Sequence, residues 1–311
     1  MKIFQKINVV LFFTLSFFSC KKEDEESPTK GHLEIYASET LKDLVNREVE
    51  QFTSLYEETK IRTNFINDRE AIAKFLNDTT KFIIVGREFN DEEKKFVQKN
   101  NLKIEKYILG KDAIGIVVNK KFQLDEISTA QLKKIFLENV SNWNQIDKSI
   151  NQKISIAIPN KNSCNYEVFS NLILEKKNFS NYSFVANSDS ETIDFIGKNL
   201  YSIGIVGICS KNKMDTNNIK ILKIENSNPI DSLYYETSGK SFFPYQAYIA
   251  LNYYPISKNI YIYTKNLYFD VGTGFTSFLL SPNAVGGQKI LGEFGMVPEK
   301  MPIRIVQLNQ D

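Results

Sequence analysis

The sequence predicts an α/β fold in which strands and helices alternate along the chain. Three observations support this class. Short apolar segments alternate at the strand period of two, and longer segments between them place apolar residues at the helical period. Hydroxyl, amide or acidic residues stand where the helices are predicted to begin. Such βα units pack as a parallel or mixed sheet covered by helices, and ligands collect at the carboxyl ends of its strands.

The first three predicted units lie in the amino-terminal part of the chain. Their strands are residues 32–37, 61–66 and 81–85. The helices that follow them begin at Ser38–Thr40, Asp68–Glu70 and Asn90. Thr40 with Asp43, and Asn90 with Glu93, have the spacing of capping boxes, in which two side chains satisfy backbone N–H groups at a helix start. We therefore expect three helices with defined starting points.

The middle of the chain continues the pattern. A long apolar strand is predicted over 112–119 and a helix over 127–136, with Ser128 and Gln131 spaced as a capping box. The clearest unit spans 153–177. Its strand alternates Ile154, Ile156 and Ile158, Pro159 ends the strand, and the helix that follows carries Phe169, Leu172 and Ile173 on one face.

Several strand ends carry the groups that hold an anion. A helix start exposes unpaired N–H donors that attract negative charge, and hydroxyl, amide and guanidinium groups add further donors. The candidate ligand contacts are Ser38, Thr40, Arg69, Arg87, Ser163 and Asn165. Only five arginines occur in the chain, so each arginine near a predicted cleft carries weight. The plainer alternative is that these residues are ordinary helix caps and exposed charges.

Composition narrows the function classes. The chain has 311 residues, of which 42% are hydrophobic, and this length suggests about two domains. Its 39 basic and 37 acidic residues create no large positive field, so we expect no nucleic-acid partner. The single histidine, His32, and the absence of a metal-binding cysteine pattern lead us to expect no metal site and no cofactor.

The amino terminus has the features of a targeting segment. Lys2 and Lys6 precede an apolar run over 7–18, which is short for a membrane span and ends at Ser19-Cys20. This pattern resembles a bacterial lipoprotein signal. Residues 1–20 would then be the signal peptide, Cys20 the lipid-anchored residue, and 21–30 an acidic flexible tether. The predicted location is the cell envelope, at the periplasmic face or at the outer-membrane surface; an uncleaved anchor helix is the alternative.

Two further cysteines, Cys164 and Cys209, leave two questions open. Their spacing neither requires nor excludes a disulfide. A helix start lowers the pKa of a thiol, so Cys164 next to Ser163 is a candidate nucleophile. Because the sequence offers no nearby histidine as general base, we expect no catalytic residue and no enzyme activity.

A family resemblance emerges from segments that occur in a fixed order. These segments are DAIGIVVNK, ISTAQLKKIF, NWNQI, IPNKNSCNYEVF, SIGIVG, YPISKNIYIYTK and the carboxyl-terminal run that starts at GTGFTSFLL. Together they resemble the phosphate-binding PstS branch of the periplasmic solute-binding proteins, most closely its Bacteroidota lipoproteins, from about residue 31 to residue 308. In that family the tryptophan at Trp143 is a packing residue.

The resemblance implies a two-lobed type II periplasmic binding protein fold, with two mixed sheets flanked by helices and a hinge of two crossing strands near 112–119 and 254–265. Lobe I would comprise 31–115 plus 258–311, and lobe II 116–257. The implied partners are a small anionic solute, phosphate or similar, and an ABC-transporter permease or a sensor. A surface protein of the same fold that acts in interaction or adhesion without transport is the alternative.

The family's anion loops match this chain unevenly. The Gly-Ser-x-Thr loop stands here as Ala37–Thr40 with both hydroxyls kept, and the arginine of a Ser-Arg strand end is kept as Arg87. A Gly/Ser-rich helix start is replaced by Asn67–Glu70. In the segment 160–166 only Ser163 matches, and the family's glycines and arginine are absent. Since each charge-assisted hydrogen bond contributes roughly 1.5 to 3 kcal/mol, these losses leave another anion or a larger polar ligand open.

Overall fold

The computed structural model describes residues 26–138, 140–208, 218–227, 234–265 and 268–301. It has the α/β class that the sequence predicts, with strands and helices alternating through most of the chain. The predicted signal peptide with Cys20, the first part of the tether, and Cys209 lie outside the described residues.

The elements occur in the following order. The strands are β1 Gly31–Ser38, β2 Thr59–Ile66, β3 Phe82–Val85, β4 Glu105–Asn119, β5 Glu126–Ser128, β6 Ser155–Pro159, β7 Phe184–Ala186, β8 Ser202–Gly207, β9 Ile219–Ile221, β10 Lys223–Glu225, β11 Ser241–Phe242, β12 Ser257–Thr264 and β13 Val297–Pro298. The helices are α1 Lys42–Leu55, α2 Asp68–Leu76, α3 Asp91–Lys99, α4 Thr129–Leu137, α5 Cys164–Ile173, α6 Asp189–Lys198, α7 Tyr234–Thr237, α8 Gln246–Ala250, α9 Val271–Leu279 and α10 Gly287–Glu293. Short 3-10 helices span Glu39–Leu41 and Trp143–Gln145.

The strand β4 joins two sheets because it pairs with different partners along its length. Its first part, Glu105 to Ala113, pairs with β12, and its second part pairs with β8 and β9. We call the strands β2, β1, β3 and β12 with the first part of β4 sheet I, and the second part of β4 with β8, β6 and β7 sheet II. The strands β5, β10 and β11 form a separate small sheet.

The strand directions bring the carboxyl ends of strands from both sheets to the boundary between the sheets. In sheet I, β1 runs parallel to β2 and β3, and β12 runs antiparallel to both β3 and β4. In sheet II, β8 runs antiparallel to β4, and β6 runs parallel to β8 and β7. The strands β1 to β3 therefore point toward sheet II, while β6 and β8 point toward sheet I. Their carboxyl ends, where α/β proteins bind ligands, meet between the two sheets.

Helices cover both faces of sheet I. Phe82 and Ile84 of β3 pack with α1, α9 and α10, whereas Ile83 and Val85 of the same strand pack with α2 on the opposite face. Sheet II packs in a separate and larger apolar cluster. Trp143 is fully buried in that cluster and its indole N–H donates to the Tyr201 carbonyl, so its predicted packing role is confirmed.

Two local predictions are wrong. The expected capping box of Thr40 and Asp43 does not form, because the chain first makes the 3-10 turn Glu39–Leu41 and α1 begins at Lys42 without a side-chain cap. The apolar face of α5 is also narrower than predicted. Phe169 and Ile173 are buried, but Leu172 is 50% exposed.

The last four residues of the predicted tether form a turn that packs on the protein. The backbone N–H of Ser27 donates to the Lys30 carbonyl and the reverse bond also forms, while the Lys30 ammonium lies 3.1 Å from Glu58. Pro28 approaches α9 at Gly274, where a Cβ atom would lie 1.9 Å from the Pro28 carbonyl oxygen. The described residues Ser27–Lys30 are therefore part of the folded protein, contrary to their prediction as flexible tether. In the described part of the chain, no helix combines the length and the apolar character that a membrane crossing needs.

Candidate functional site

The carboxylate of Asp68 lies at the meeting point of the two sheets and accepts hydrogen bonds from both of them. The Ser38 hydroxyl, at the end of β1, donates to Oδ2 over 2.8 Å, and the Gly86 N–H, just after β3, donates to Oδ1 over 2.8 Å. The Cys164 N–H, the first of α5, donates to Oδ2 over 3.1 Å from the side of sheet II. These donors form an oxyanion-binding position, and a side chain of the protein occupies it.

The local sequence explains why Asp68 reaches this position. Asn67 caps α2 through its side chain, which accepts the Glu70 N–H over 3.0 Å, so Asp68 is the first helical residue. Gly86 lets the two sheets approach, because a Cβ atom there would lie 2.7 Å from the Cys164 sulfur. The short side chain of Asp68 is thereby fully buried between the sheets.

A chain of hydrogen bonds leads from Lys258 to Asp68. The Lys258 ammonium donates to the Cys164 sulfur over 3.1 Å, and that sulfur lies 3.6 Å from the Thr40 hydroxyl, which lies 2.9 Å from the Ser38 hydroxyl. Each hydroxyl carries one hydrogen. Because Ser38 donates to Asp68, the hydrogen between the two hydroxyls comes from Thr40, which donates to Ser38. Both hydroxyl donors are therefore oriented toward the Asp68 carboxylate.

Lys258 supplies a buried positive charge from the hinge strand β12. Its ammonium donates to the Asn165 side-chain oxygen over 2.6 Å and lies 3.5 Å from Asp112 Oδ2, and both charged side chains are 1% exposed. Burial by itself lowers the pKa of Lys258. The Cys164 sulfur and the carboxylates of Asp112 and Asp68 raise this pKa by more than burial lowers it, so the net pKa is above its usual range. Lys258 is therefore charged and offsets part of the negative charge of the site.

Sheet II repeats the arrangement of Asp68 with a second aspartate. Asp189 is the first residue of α6 and accepts the Gly207 N–H, at the end of β8, over 3.0 Å. Asp68 and Gly86, like Asp189 and Gly207, stand 18 residues apart. The other oxygen of Asp189 accepts from Asn165 over 3.3 Å within sheet II, whereas the other oxygen of Asp68 reaches across to α5. The two aspartates thus share a backbone role, and Asp68 in addition bridges the sheets.

We call Asp68, Asp112, Asp189 and Lys258, with the groups that hydrogen-bond to them, the cluster. Three of the six candidate residues lie in it, namely Ser38, Thr40 and Asn165. Ser163 is buried and caps α5 by accepting the Tyr166 N–H over 3.4 Å. Together with Thr40 and Glu39 it lines a small recess beside the cluster. Burial, reinforced by Asp68, raises the pKa of Glu39 to about 7, so this recess gains negative charge as the pH rises through neutrality.

The two candidate arginines lie outside the cluster. Arg87 is buried, its two terminal nitrogens donate to the carboxylate of Glu93, and its Nε lies 2.8 Å from Glu167 on α5. Its charge is thus engaged by two glutamates, and the contact with Glu167 joins sheet I to α5. The Arg69 side chain is exposed and lies in a surface groove between α2 and α3.

The environment of Cys164 opposes the nucleophile hypothesis. The side chain is fully buried, and this burial raises the pKa of its thiol to about 12. Cys164 is a free cysteine. Instead of a thiolate, the site contains a neutral thiol whose sulfur accepts from Lys258 and lies 3.6 Å from the Thr40 hydroxyl.

A cavity of about 330 Å³ adjoins the cluster. Arg87, Glu88, Glu167, Lys258 and Tyr261 are among the residues that line it. It leaves open space next to Lys258 that is large enough for a small polar molecule. Among the described residues, no group of three or more histidine, cysteine, aspartate or glutamate side chains has an arrangement that could hold a metal ion.

Sequence reasoning missed the charged residues at the centre of the site. Asp112 and Lys258 lie on the hinge strands, and Asp189 starts α6, which is not among the predicted helices. A signal for Lys258 exists: in β12 the alternating residues Lys258, Ile260 and Ile262 face inward, so a lysine occupies a position that the pattern assigns to the core.

Comparison with known proteins places the chain among solute-binding proteins. A family model described as "PBP superfamily domain" matches residues 22–283. The chain is 25% identical over 284 residues to the phosphate-binding protein PstS of Staphylococcus aureus strain MRSA252, which covers 88% of this chain and 81% of that protein. It is 23% identical over 253 residues to PstS of Staphylococcus saprophyticus, covering 80% of this chain and 75% of that protein.

Solved structures give the same fold. One from Clostridium perfringens, described as a phosphate ABC transporter substrate-binding protein with bound phosphate, superposes with a TM-score of 0.72 at 15% identity and covers 86% of this chain and 99% of that one. An ABC-type phosphate transport receptor from Vibrio cholerae gives a TM-score of 0.65 at 19% identity and covers 86% and 100%. These relatives are named as binding proteins and not as enzymes. The chain has the type II periplasmic binding protein fold and belongs to the PBP superfamily domain family, as a PstS-like member.

Proposed function

We propose that this protein is an extracytoplasmic, lipid-anchored solute-binding protein. It captures phosphate or another small oxyanion between sheets I and II and presents it to an ABC transporter or a sensor. The single observation that carries this proposal is the convergence of the Ser38 hydroxyl and the N–H groups of Gly86 and Cys164 on one oxyanion position. Donors supplied by both sheets favour an anion that is bound between them.

Two further lines support the proposal. The named relatives PstS of S. aureus and S. saprophyticus are phosphate-binding proteins. The lobes 31–115 plus 258–311 and 116–257, which we propose as the moving units, each contribute donors to the position. Among the proposed ligand contacts, Ser38, Thr40, Asn165 and Ser163 lie at or beside it, whereas Arg69 and Arg87 lie outside the cluster.

Calorimetric titration of the purified chain with inorganic phosphate and with sulfate tests the proposal. We expect binding in the wild type and a loss of at least about tenfold in Ser38→Ala, because one of the donors disappears. Ser277→Ala is the matched control, since this exposed hydroxyl on α9 bonds only to its own helix. The absence of heat and of a thermal shift with every oxyanion, together with protease-accessible protein on intact cells, would favour the interaction or adhesion alternative.

A further inference from the structure

The oxyanion position between the two sheets contains a carboxylate of the protein itself. A free oxyanion that used the donors of Ser38, Gly86 and Cys164 would have to take the place of Asp68, because both Asp68 oxygens are already bonded to them. We propose that Asp68 is an internal ligand of this site: it competes with the free solute for the same donors and holds sheet I against α5. This inference rests on the proposed function and concerns the affinity of the same site.

The contact geometry separates Asp68 from an ordinary structural aspartate. Asp189 holds the equivalent place in sheet II, where it accepts from the Gly207 N–H and from the Asn165 side-chain amide. Asp68 uses Oδ1 in the same way, for the Gly86 N–H, but its Oδ2 accepts the first N–H of a helix on the opposite sheet and the hydroxyl of Ser38. The additional bonds give Asp68 the role that a bound anion has at a helix amino terminus.

The attachment of Asp68 to its helix gives a second reason. Asp68 is the first residue of α2, so the helix start itself supplies an acceptor to the position. A tethered group competes at a high effective concentration, which depends on the length and stiffness of its linkage. For Asp68 the linkage is one side chain on a capped helix, so a solute present at low concentration is at a disadvantage.

The charges around the site also favour competition between Asp68 and a free anion. The cluster contains the carboxylates of Asp68, Asp112 and Asp189 and the single ammonium of Lys258. A doubly charged oxyanion that entered beside an intact Asp68 would add like charge to this group. Displacement of Asp68 into the adjoining cavity or toward solvent avoids that repulsion and opens the contact between α2 and α5.

The test compares Asp68→Ala, Asp68→Asn and the wild type. Calorimetry with sulfate and with inorganic phosphate should show at least tenfold tighter binding to Asp68→Ala than to the wild type, with Asp68→Asn between the two. Formate, which reproduces the lost carboxylate, should raise the melting temperature of Asp68→Ala and leave that of the wild type unchanged. Small-angle scattering without added solute should show the wild type more compact than Asp68→Ala, and sulfate should compact the variant.

Asp189→Ala is the matched control, because it removes one negative charge from the same cluster without vacating the oxyanion position. An equal gain in Asp189→Ala would mean that charge alone sets the affinity and would overturn the proposal. Equal phosphate binding by the wild type and Asp68→Ala would also overturn it, while the proposed function would stand. Binding by Asp68→Ala alone would support the internal ligand and refute phosphate capture by the wild type. If Asp68→Ala does not fold, Asp68→Asn decides, since unchanged affinity in a folded Asp68→Asn contradicts competition.

Discussion

Two buried carboxyl groups, Asp68 and Glu48, have opposite surroundings. Asp68 accepts hydrogen bonds from a hydroxyl and from two backbone amides. Glu48, on the inner face of α1, is fully buried beside Gly287, and within the described residues neither of its oxygens has a hydrogen-bond partner. Burial without such partners raises the pKa of Glu48 to about 9, so Glu48 carries a proton at neutral pH.

Glu48 makes the stability of the protein depend on pH. Below its ordinary pKa of 4.5 the carboxyl is protonated in both the folded and the unfolded chain. As the pH rises from there toward about 9, the unfolded chain loses this proton while the folded chain retains it, so the free energy of unfolding decreases. We expect Glu48→Leu to remove this slope and to stabilise the protein at pH 8 by about 1 to 3 kcal/mol, as for removal of a buried unsatisfied polar group.

Chemical denaturation at pH 5 and at pH 8 provides the measurement. The control is Glu50→Leu, which changes the same residue type on the exposed side of α1. Glu50→Leu should keep the wild-type dependence on pH. A Glu48→Leu protein that loses stability at both pH values would show that the carboxyl makes a favourable contact in the fold.

At the residue scale, local sequence patterns predict the hydrogen-bond donors of the site but not its buried charged residues. Ser38, Thr40 and Asn165 stand at strand ends or helix starts, where unpaired N–H groups make polar side chains conspicuous. Lys258 and Asp112 come from strands that the pattern assigns to the core, and their contact across 146 positions of the chain depends on tertiary structure. No local pattern encodes such a pair.

At the element scale, the success of a cap prediction depended on how the chain enters the helix. The boxes Asn90 with Glu93 and Ser128 with Gln131 form, because an extended residue leads directly into each helix. Before α1 the chain makes a 3-10 turn instead, and Thr40 is left to bond with Ser38 and Cys164. The 3-10 turn that prevents the predicted cap also places the Thr40 hydroxyl in the site.

The cap of α5 offers a test of the site that is independent of Asp68. Ser163 and Ser128 are both N-cap serines, which accept the N–H of Tyr166 over 3.4 Å and of Gln131 over 3.2 Å. We expect Ser163→Ala and Ser128→Ala each to lower the free energy of unfolding by about 1 kcal/mol, the usual effect of a lost cap. Ser163 also lines the recess between the sheets, so Ser163→Ala alone should weaken oxyanion binding.

Urea denaturation and calorimetric titration with phosphate measure the two effects of these variants separately. Ser128→Ala is the control for the general effect of a weakened helix start, because α4 lies away from the recess. If both variants lose the same stability and both keep wild-type affinity, Ser163 is a cap only and is removed from the proposed ligand contacts.

At the scale of the whole molecule, the two-lobed fold could be predicted because its signals are local and repeated. Strand period, helix caps and an ordered set of segments lead to α/β lobes that face each other. The contacts that join the lobes could not be predicted, since they link Arg87 to Glu167 and Asp68 to Cys164 across different sheets. Such contacts depend on how the two sheets are placed relative to each other, a property of the folded molecule that no stretch of sequence specifies.

The attachment of the whole molecule to a membrane provides the last prediction. The turn Ser27–Lys30 packs on α9, so only the six residues 21–26 separate Cys20 from the folded part of the chain. Even when fully extended, six residues span at most roughly 20 Å. A lipid on Cys20 would therefore hold the protein close to the membrane surface.

We expect Cys20→Ser to move the protein from the detergent-extracted membrane fraction to the soluble fraction and to abolish labelling by radioactive palmitate. Cys209→Ser is the matched control and should leave both properties unchanged. A Cys20→Ser protein that still needs detergent for extraction would instead indicate that the apolar run 7–18 stays attached and anchors the chain by itself.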